Sequence, residues 1–350
     1  MANKGVGSTE VPEKTLYLGE HDGTQDLYIA GRVPFLLIND FTWTMRKTYH
    51  FCLASHEEVM HRSEEDFIYD VNCFAVAVVR TESRALADAV MSSHDHFCAQ
   101  TDNISELAYL RRNAYTRYFN TKYGRKGRLG EKEQFVIELR GVRHVTAAVS
   151  YVNRNPLHHG ICPTPFGYRF CSSNSVFQSE LGKGYSGPFL SPSKRYRYLP
   201  GNVTLPESFR MDASGMVLQE DIIDVRYVEE LYVTPRSFLY MMNRYSDEKW
   251  IAEQKEEDGS QPAVTLENIE QALMDENAEQ MRSNEKGWTD MSALTDIELC
   301  TIIDTKYVPR CGCTSIYGLS ERQKHRIGND LWAKYGRRTT EKQIRRCLAM

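Results

Sequence analysis

The chain has 350 residues, 41% of them hydrophobic, with 43 Lys plus Arg against 47 Asp plus Glu and a formal net charge of -4. That apolar share is enough for a buried core and excludes a wholly disordered chain. The near balance of charge excludes binding of nucleic acid by overall basicity, so the distribution of charge along the chain has to be followed instead.

Residues 1–30 are polar and Gly-containing and read as a loose arm. Their opening stretch, MANKGVGSTEVPEK, has no apolar leader, and no run in the chain approaches the roughly 18 apolar residues of a membrane span. Residues 33–55 read as extended, because Phe35–Ile38, Phe41, Trp43 and Tyr49–Leu53 are apolar, aromatic or β-branched. Ser63 followed by Glu64, Glu65 and Asp66 is a helix start, and Phe67, Ile68, Val71, Phe74, Ala75, Val78 and Val79 continue it at helical spacing.

A strand over 86–91, a tight turn at Ser92-Ser93 and a returning strand over 94–99 follow. Ile104 to Tyr123 reads as a second helix ending at Gly124, Gln134 to Leu139 as a short strand, and Val142 to Asn155 as a third helix stopped by Pro156. The order predicts an α+β fold with helices packed on an antiparallel sheet. Residues 160–200 are loop-like, and 201–250 hold two short elements. Residues 253–290 carry 11 acids against 3 bases, an acidic linker with room for a short helix over 266–274, whereas 306–350 carry 11 bases against 3 acids. The expected divisions are therefore an arm over 1–30, a main domain with an extension over 31–250, a linker over 251–290 and a basic helical unit over 291–350.

The nine cysteines are odd in number and form no CxxC pair, and Cys311-Gly312-Cys313 alone is weak evidence for zinc. They read as reduced, mostly buried thiols of a cytoplasmic protein.

Two residue pairs point to chemistry. His94 and His96 flank Asp95 in a strand, so both imidazoles face one way and Asp95 the other. Neutral imidazole is a common ligand for divalent metals, although an HxH alone is as well explained by ordinary core or surface histidines. Tyr151 and Asn155 lie four apart, on one face of a helix. By themselves they are as well explained by packing for Tyr151 and by a helix cap for Asn155.

In this order and at this separation, however, the two pairs match a family. The segment MSSHDHFCAQTD resembles the MPNHxHLLVxTD of single-tyrosine HUH transposases, and YVNRNPLHHGICPTPFGYRFCSSNSVF resembles their YIHxNPxxAGLVxxPxDYxWSSY block. The intervening YLRRNAYTRYFNTKYGRKGRLGEKEQF resembles the family's helix and basic hairpin. The nearest patterns are those of insertion-sequence-200-like and REP-associated tyrosine transposases, over about residues 45–180.

The resemblance implies a ferredoxin-like fold, with His94, His96 and Asn155 holding Mg²⁺ or Mn²⁺. It implies Tyr151 as the nucleophile that cuts and rejoins single-stranded or hairpin DNA, as in transposition, through a 5′-phosphotyrosine. It also implies a nucleoid-associated cytoplasmic location and leaves a homodimer open. A non-catalytic, domesticated DNA-binding protein on the same fold is the alternative. The sequence departs from the pattern at Asp95, normally apolar, and at Ser92-Ser93, normally Pro-Asn. Asp95 is expected opposite the histidines, meeting a basic side chain, a polar group or water or lying on a partly covered face of the sheet, and not at the metal.

Thr101 to Arg154 holds 11 bases against 5 acids. Arg111, Arg112, Arg117, Lys122, Arg125, Lys126 and Arg128 are interleaved with tyrosines, a pattern that suits phosphates and unpaired bases, with a solvated helix face as the alternative. The tail, LSERQKHRIGNDLWAKYGRRTTEKQIRRCLAM, reads as two helices joined near Tyr335-Gly336, with Ile344 and Leu348 inward and Arg345 and Arg346 outward toward DNA. It resembles the helix-turn-helix tails of some relatives, and a basic helical cap on the main domain is the alternative.

Overall fold

In the computed structural model, the described residues are 46–243, except 160, 163, 183 and 202, together with 293–350 and two short strands near the start. The expected extended run over 33–45 and the acidic linker with its short helix lie outside them. The chain divides into two compact units, residues 1–46 and residues 47–350.

The first unit contains an antiparallel pair, β1 (Tyr17–His21) and β2 (Thr24–Tyr28), in register from Tyr17↔Tyr28 to His21↔Thr24. These two strands fall within the stretch expected as a loose arm, whose other residues lie outside the described ones. The sequence between the strands is Asp22-Gly23, a dipeptide that favours two-residue hairpin connections.

The second unit is built on β3 (Lys47–Ala54), α1 (Glu64–Arg80), β4 (Arg84–Val90), β5 (His94–Thr101), α2 (Ile104–Tyr123), β6 (Phe135–Leu139) and α3 (Gly141–His158). Its antiparallel sheet has the order β4-β5-β3-β6, which is the ferredoxin-like arrangement the resemblance implies.

Local chemistry fixes the helix ends. Asp66 in the first turn of α1 accepts the backbone N–H of Ser63 at 3.0 Å and of Arg62 at 2.8 Å, taking up donors that no helical carbonyl reaches. Asn103 accepts from Glu106 N at the start of α2, and Gly124 ends that helix at φ 64°, where a side chain would be strained.

The end of α3 corrects the sequence reading, because the helix runs through Pro156 to His158. A proline in the last turn forgoes one hydrogen bond, and His159 N still reaches Asn155 O at 3.0 Å. Asn155 is thus a helical residue, and the cap is His159.

Each face of the sheet buries a different layer. Phe51 and Phe97 point toward α1 and α2, where the Phe74 ring lies 4.4 Å from Phe97. The opposite face, with His94 and His96, lies under α3. After α3 come two one-turn helices, α4 (Pro192–Arg195) and α5 (Gln219–Ile222), then α6 (Val225–Tyr232) and α7 (Pro235–Asn243). Three of these four fall within 201–250, one more than expected.

This extension covers the free edge of β4. Val90 N donates to Phe170 O at 2.9 Å and Asp224 N to Ala85 O at 2.8 Å, so the strand presents no unpaired ladder there.

The C-terminal residues form α8 (Asp296–Ile302), α9 (Glu321–Tyr335) and α10 (Glu341–Leu348) around Leu299, Ile303, Ile327, Leu331, Ile344 and Leu348. The two tail helices are where the sequence puts them, and Ile344 and Leu348 are inward. Arg346 is buried rather than outward, while Arg345 is exposed. The tail packs against the sheet unit. Arg62 donates to both oxygens of Asp304, at 2.7 and 3.0 Å, and to Cys347 O at 2.7 Å, and Tyr317 donates to Glu58 at 2.6 Å. The nine cysteines are free, and all but Cys311 and Cys313 are buried. Among the described residues no helix is long and apolar enough to cross a membrane.

Asp88 of β4 is buried, with one oxygen accepting from Gln219 at 2.8 Å. Burial pushes its carboxyl up to about 7 despite that hydrogen bond. The folded value lies above the unfolded one, so the stability Asp88 contributes is full below about pH 4 and is lost as the pH rises through 7. Asp88→Asn should flatten the pH dependence of the urea midpoint in that window, by at most ~1 kcal/mol per pH unit, and should be the more stable form above pH 7. Parallel curves for the two proteins from pH 5 to 8 would contradict this.

Candidate active site

The period-2 pleat of β5 sends His94 and His96 to one side and Asp95 to the other. On the histidine side the rings lie 5.0 Å apart, nearly perpendicular. Helix α3 passes over them with Asn155 and Tyr151 one turn apart. His94 Nε2 lies 3.0 Å from Asn155 Oδ1, and the Tyr151 ring stands edge-on to His96 at 5.2 Å. The structure therefore brings together the four residues that the sequence singles out. All four are buried, Tyr151 being 8% exposed.

Two histidines that the sequence reading passed over complete the cluster. His50, on β3, lies 3.1 Å through Nε2 from His96 Nδ1, with the rings stacked at 5.3 Å. It is opposite Cys98 in the ladder and so on the same face as His96. Burial, and behind it the charge of His144, lowers His50 to about 3, so it is neutral. Either ring can donate in this contact, and the tautomer in which His96 Nδ1 donates is the one that leaves the His96 lone pair on Nε2. His159, the cap of α3, has its ring 4.9 Å from His94. Strand alternation marks His50 as a candidate for this face. Its neighbour across the sheet depends on register, which no local pattern encodes.

Among the described residues no group of three or more His, Cys, Asp or Glu side chains is arranged to hold a metal. Two imidazoles and the Asn155 amide oxygen are the available donors. The 3.0 Å between His94 Nε2 and Asn155 Oδ1 equals the spacing of adjacent ligands on a small ion with bonds of about 2.1 Å. The buried Asn155 Nδ2 has no hydrogen-bond partner among the described residues, so the amide is oriented through its oxygen.

Behind the strand, Asp95 meets Arg111 at 2.5 Å, and its other oxygen accepts Leu53 N at 2.9 Å. Arg111 also pairs with Asp70, donating through Nε at 2.8 Å, and lies 4.5 Å over Phe97. Asp70 in turn contacts His61 Nε2 at 2.7 Å. Burial raises Asp95, with Arg111 only partly offsetting it. At Asp70 burial is outweighed by Arg111 and His61, and the carboxyl is held low.

Arg111 is thus buried and doubly paired, not exposed to a phosphate, which corrects its place among the candidate DNA contacts. Arg346 is withdrawn because it too is buried. Arg112 donates to Leu129 O and Lys132 O, Lys122 pairs with Glu65 and Asp66, and Arg125 pairs with Glu58. Arg117, Lys126, Arg128 and Arg345 are exposed. A cleft of about 630 Å³ between α1 and α2 takes Arg117 and Lys122 into its lining, on the far side of the sheet from Tyr151.

The turn before His94 is held from the tail. Ser92 Oγ donates to Asp296 Oδ2 at 2.6 Å, and Gln343 Nε2 donates to Asp296 Oδ1 at 2.8 Å, so one buried carboxylate joins the β4–β5 turn to α10. A proline at position 92 would have no hydroxyl to give.

The chain matches no protein-family model and no curated protein. A solved structure described as a REP-associated tyrosine transposase bound to a REP hairpin is similar over 41% of this chain and 86% of that one, with a TM-score of 0.32 and 14% identity. A likeness at that level says nothing about the site, and the geometry above stands alone.

Two outcomes follow from the buried charges. Arg111→Met should destabilise by about 3–5 kcal/mol in urea denaturation, since two carboxylates lose their partner, whereas Asp95→Leu should cost less because Arg111 keeps Asp70. The reverse ranking would mean that Asp95, not Arg111, anchors the cluster. Asp296→Ala should speed amide exchange at Met91 and His94 more than in the centre of α1, because the turn loses its tie to the tail. Equal protection at the turn in both proteins would show that the backbone alone holds it.

Proposed function

We propose that this protein is a metal-dependent enzyme that cuts and rejoins single-stranded DNA, with Tyr151 as nucleophile and His94, His96 and Asn155 as metal ligands. The observation that carries the reading is the convergence of two imidazoles, an amide oxygen and a phenol on one buried face, with His94 Nε2 3.0 Å from Asn155 Oδ1 and the Tyr151 ring 5.2 Å from that of His96.

The Tyr151 oxygen attacks phosphorus in line. A Tyr–O–P bond forms, the bond to the 3′ oxygen breaks, the phenol gives up its proton and the departing 3′ oxygen gains one. The 5′-phosphotyrosine keeps the energy of the phosphodiester, and a 3′-hydroxyl can reverse the step without ATP. A bound Mg²⁺ or Mn²⁺ would polarise the phosphoryl oxygens and offset the charge that develops on them. His50 fixes the ring of His96, and α3 fixes Tyr151 and Asn155 relative to each other. Arg117, Lys126, Arg128 and Arg345 are the exposed cations offered to the strand.

One observation favours a second reading, a DNA-binding protein that does not cleave. Tyr151 is 8% exposed and the histidines less, so a phosphodiester reaches them only if the cover over the site opens. An oligonucleotide that traps a covalent adduct, incubated with Mn²⁺, separates the readings. Wild type should form an adduct that Tyr151→Phe and EDTA abolish, while Tyr151→Phe still binds the oligonucleotide. DNA binding without an adduct in wild type selects the second reading. An undiminished adduct in Tyr151→Phe moves the nucleophile elsewhere.

The ligand set is uncharged, so calorimetry should find Mn²⁺ bound more tightly when DNA is present, and weakened by His94→Ala or His96→Ala more than by Asn155→Ala. Mn²⁺ affinity unaffected by either histidine substitution would place the ion elsewhere.

A further inference from the structure

The tail carries a surface that the strand-cutting reading does not use. Helix α9 buries one side, with Ile327 and Leu331 against Ile344 and Leu348 of α10, and Lys324 folded back onto Ala349 O at 2.8 Å. Gly328 lies at this contact, where a Cβ would sit in ordinary van der Waals contact with Leu348 at 3.6 Å and Ile344 at 3.7 Å.

The other side is a continuous stripe at helical spacing, Arg322, His325, Arg326, Asn329 and Trp332, and all five are exposed. Trp332 is 50% exposed, which is unusual for the largest apolar side chain on a helix that already has a buried face. The acids of this helix are taken up locally, Glu321 by Lys324 at 3.1 Å and Asp330 by Lys334 at 2.7 Å. That leaves the stripe positive, with exposed Arg337 just beyond the end of α9.

We infer that this face of α9 is a docking surface for double-stranded DNA. The charge selects a polyanion. The shape selects a duplex over a single strand, because single strands are held in concave grooves with several aromatic platforms, whereas a convex helix with projecting cations fits a groove and its flanking phosphates. Arg322 and Arg326 lie one turn apart and contact backbone phosphates. Trp332, about 15 Å along the axis from Arg322, packs on the sugar or base edge at the margin of the contact. Asn329 between them offers an amide to a base or phosphate oxygen. This surface stands whether or not Tyr151 cuts.

The test uses the full chain and fluorescence anisotropy with a labelled DNA duplex and with one of its strands alone. Arg322→Ala/Arg326→Ala/Trp332→Ala should lower duplex affinity tenfold or more. It should also make the slope of log K against log salt shallower by about 1.8, two phosphate contacts at about 0.9 each. Single-strand affinity should change by less than twofold. Because all three side chains are exposed, thermal unfolding should be unchanged. Arg322→Lys/Arg326→Lys should keep the salt slope, and Trp332→Phe should keep most of the affinity. The inference is overturned if wild type does not bind the duplex. A salt slope and affinity within twofold of wild type in the triple variant, or polyglutamate of matched charge competing as well as duplex, would overturn it too.

Discussion

The candidate site depends on the alternation of β5 more than on any other feature. A strand cannot aim neighbouring side chains at one point, so the three consecutive residues His94, Asp95 and His96 serve two different layers. The histidines meet α3, and the aspartate meets Arg111 of α2. A shift of register by one residue would exchange these environments, burying imidazoles among the phenylalanines and leaving a carboxylate facing Tyr151. The ion cluster of Arg111, Asp70 and Asp95 penalises that slip, since a buried Arg111 would lose one of its two carboxylates. Its value to the fold lies in specifying one register, whatever its net contribution to stability.

Much of this is legible in the sequence. The helix over Ile104–Tyr123 has its cap and its stop glycine in plain view, and the HxH and Tyr-x-x-x-Asn pairs have spacings that survive any reasonable shift of element ends. Of the surroundings expected for Asp95, a basic side chain, a polar group, water or a partly covered face, the structure supplies the first, Arg111. What was not legible depends on long-range pairing. Arg111 looks like one more cation in a basic helix until α1 supplies Asp70 from forty-one residues away. His50 becomes a neighbour of His96 only through the β3–β5 ladder, and Arg346 faces inward because α10 docks on a surface that sequence alone does not reveal. The run of α3 past Pro156 is a local miss, in which the cost of one missing donor in a last turn is smaller than the packing that continues it.

The departures at Ser92 and Asp95 from the resembling motif have separate explanations, one in the tail and one in α2. Ser92 gives its hydroxyl to Asp296, which also takes an amide proton from Gln343. Asp95 completes the coordination of Arg111. Neither change touches the face that carries the histidines and the tyrosine.

The interlocking of the tail with the sheet unit has a consequence for how the chain can be divided. The acidic stretch looks like a natural place to cut, yet Val59 is buried in the same apolar cluster as Leu299 and Leu331, and the guanidinium of Arg62 rests on Asp304 and a carbonyl of α10. A fragment ending near residue 243 would expose that apolar surface and strand a cation that is almost wholly enclosed. The smallest piece that keeps its own core is therefore the sheet unit with its tail, and a comparison of fragments would measure damage to a shared interior along with the loss of a surface.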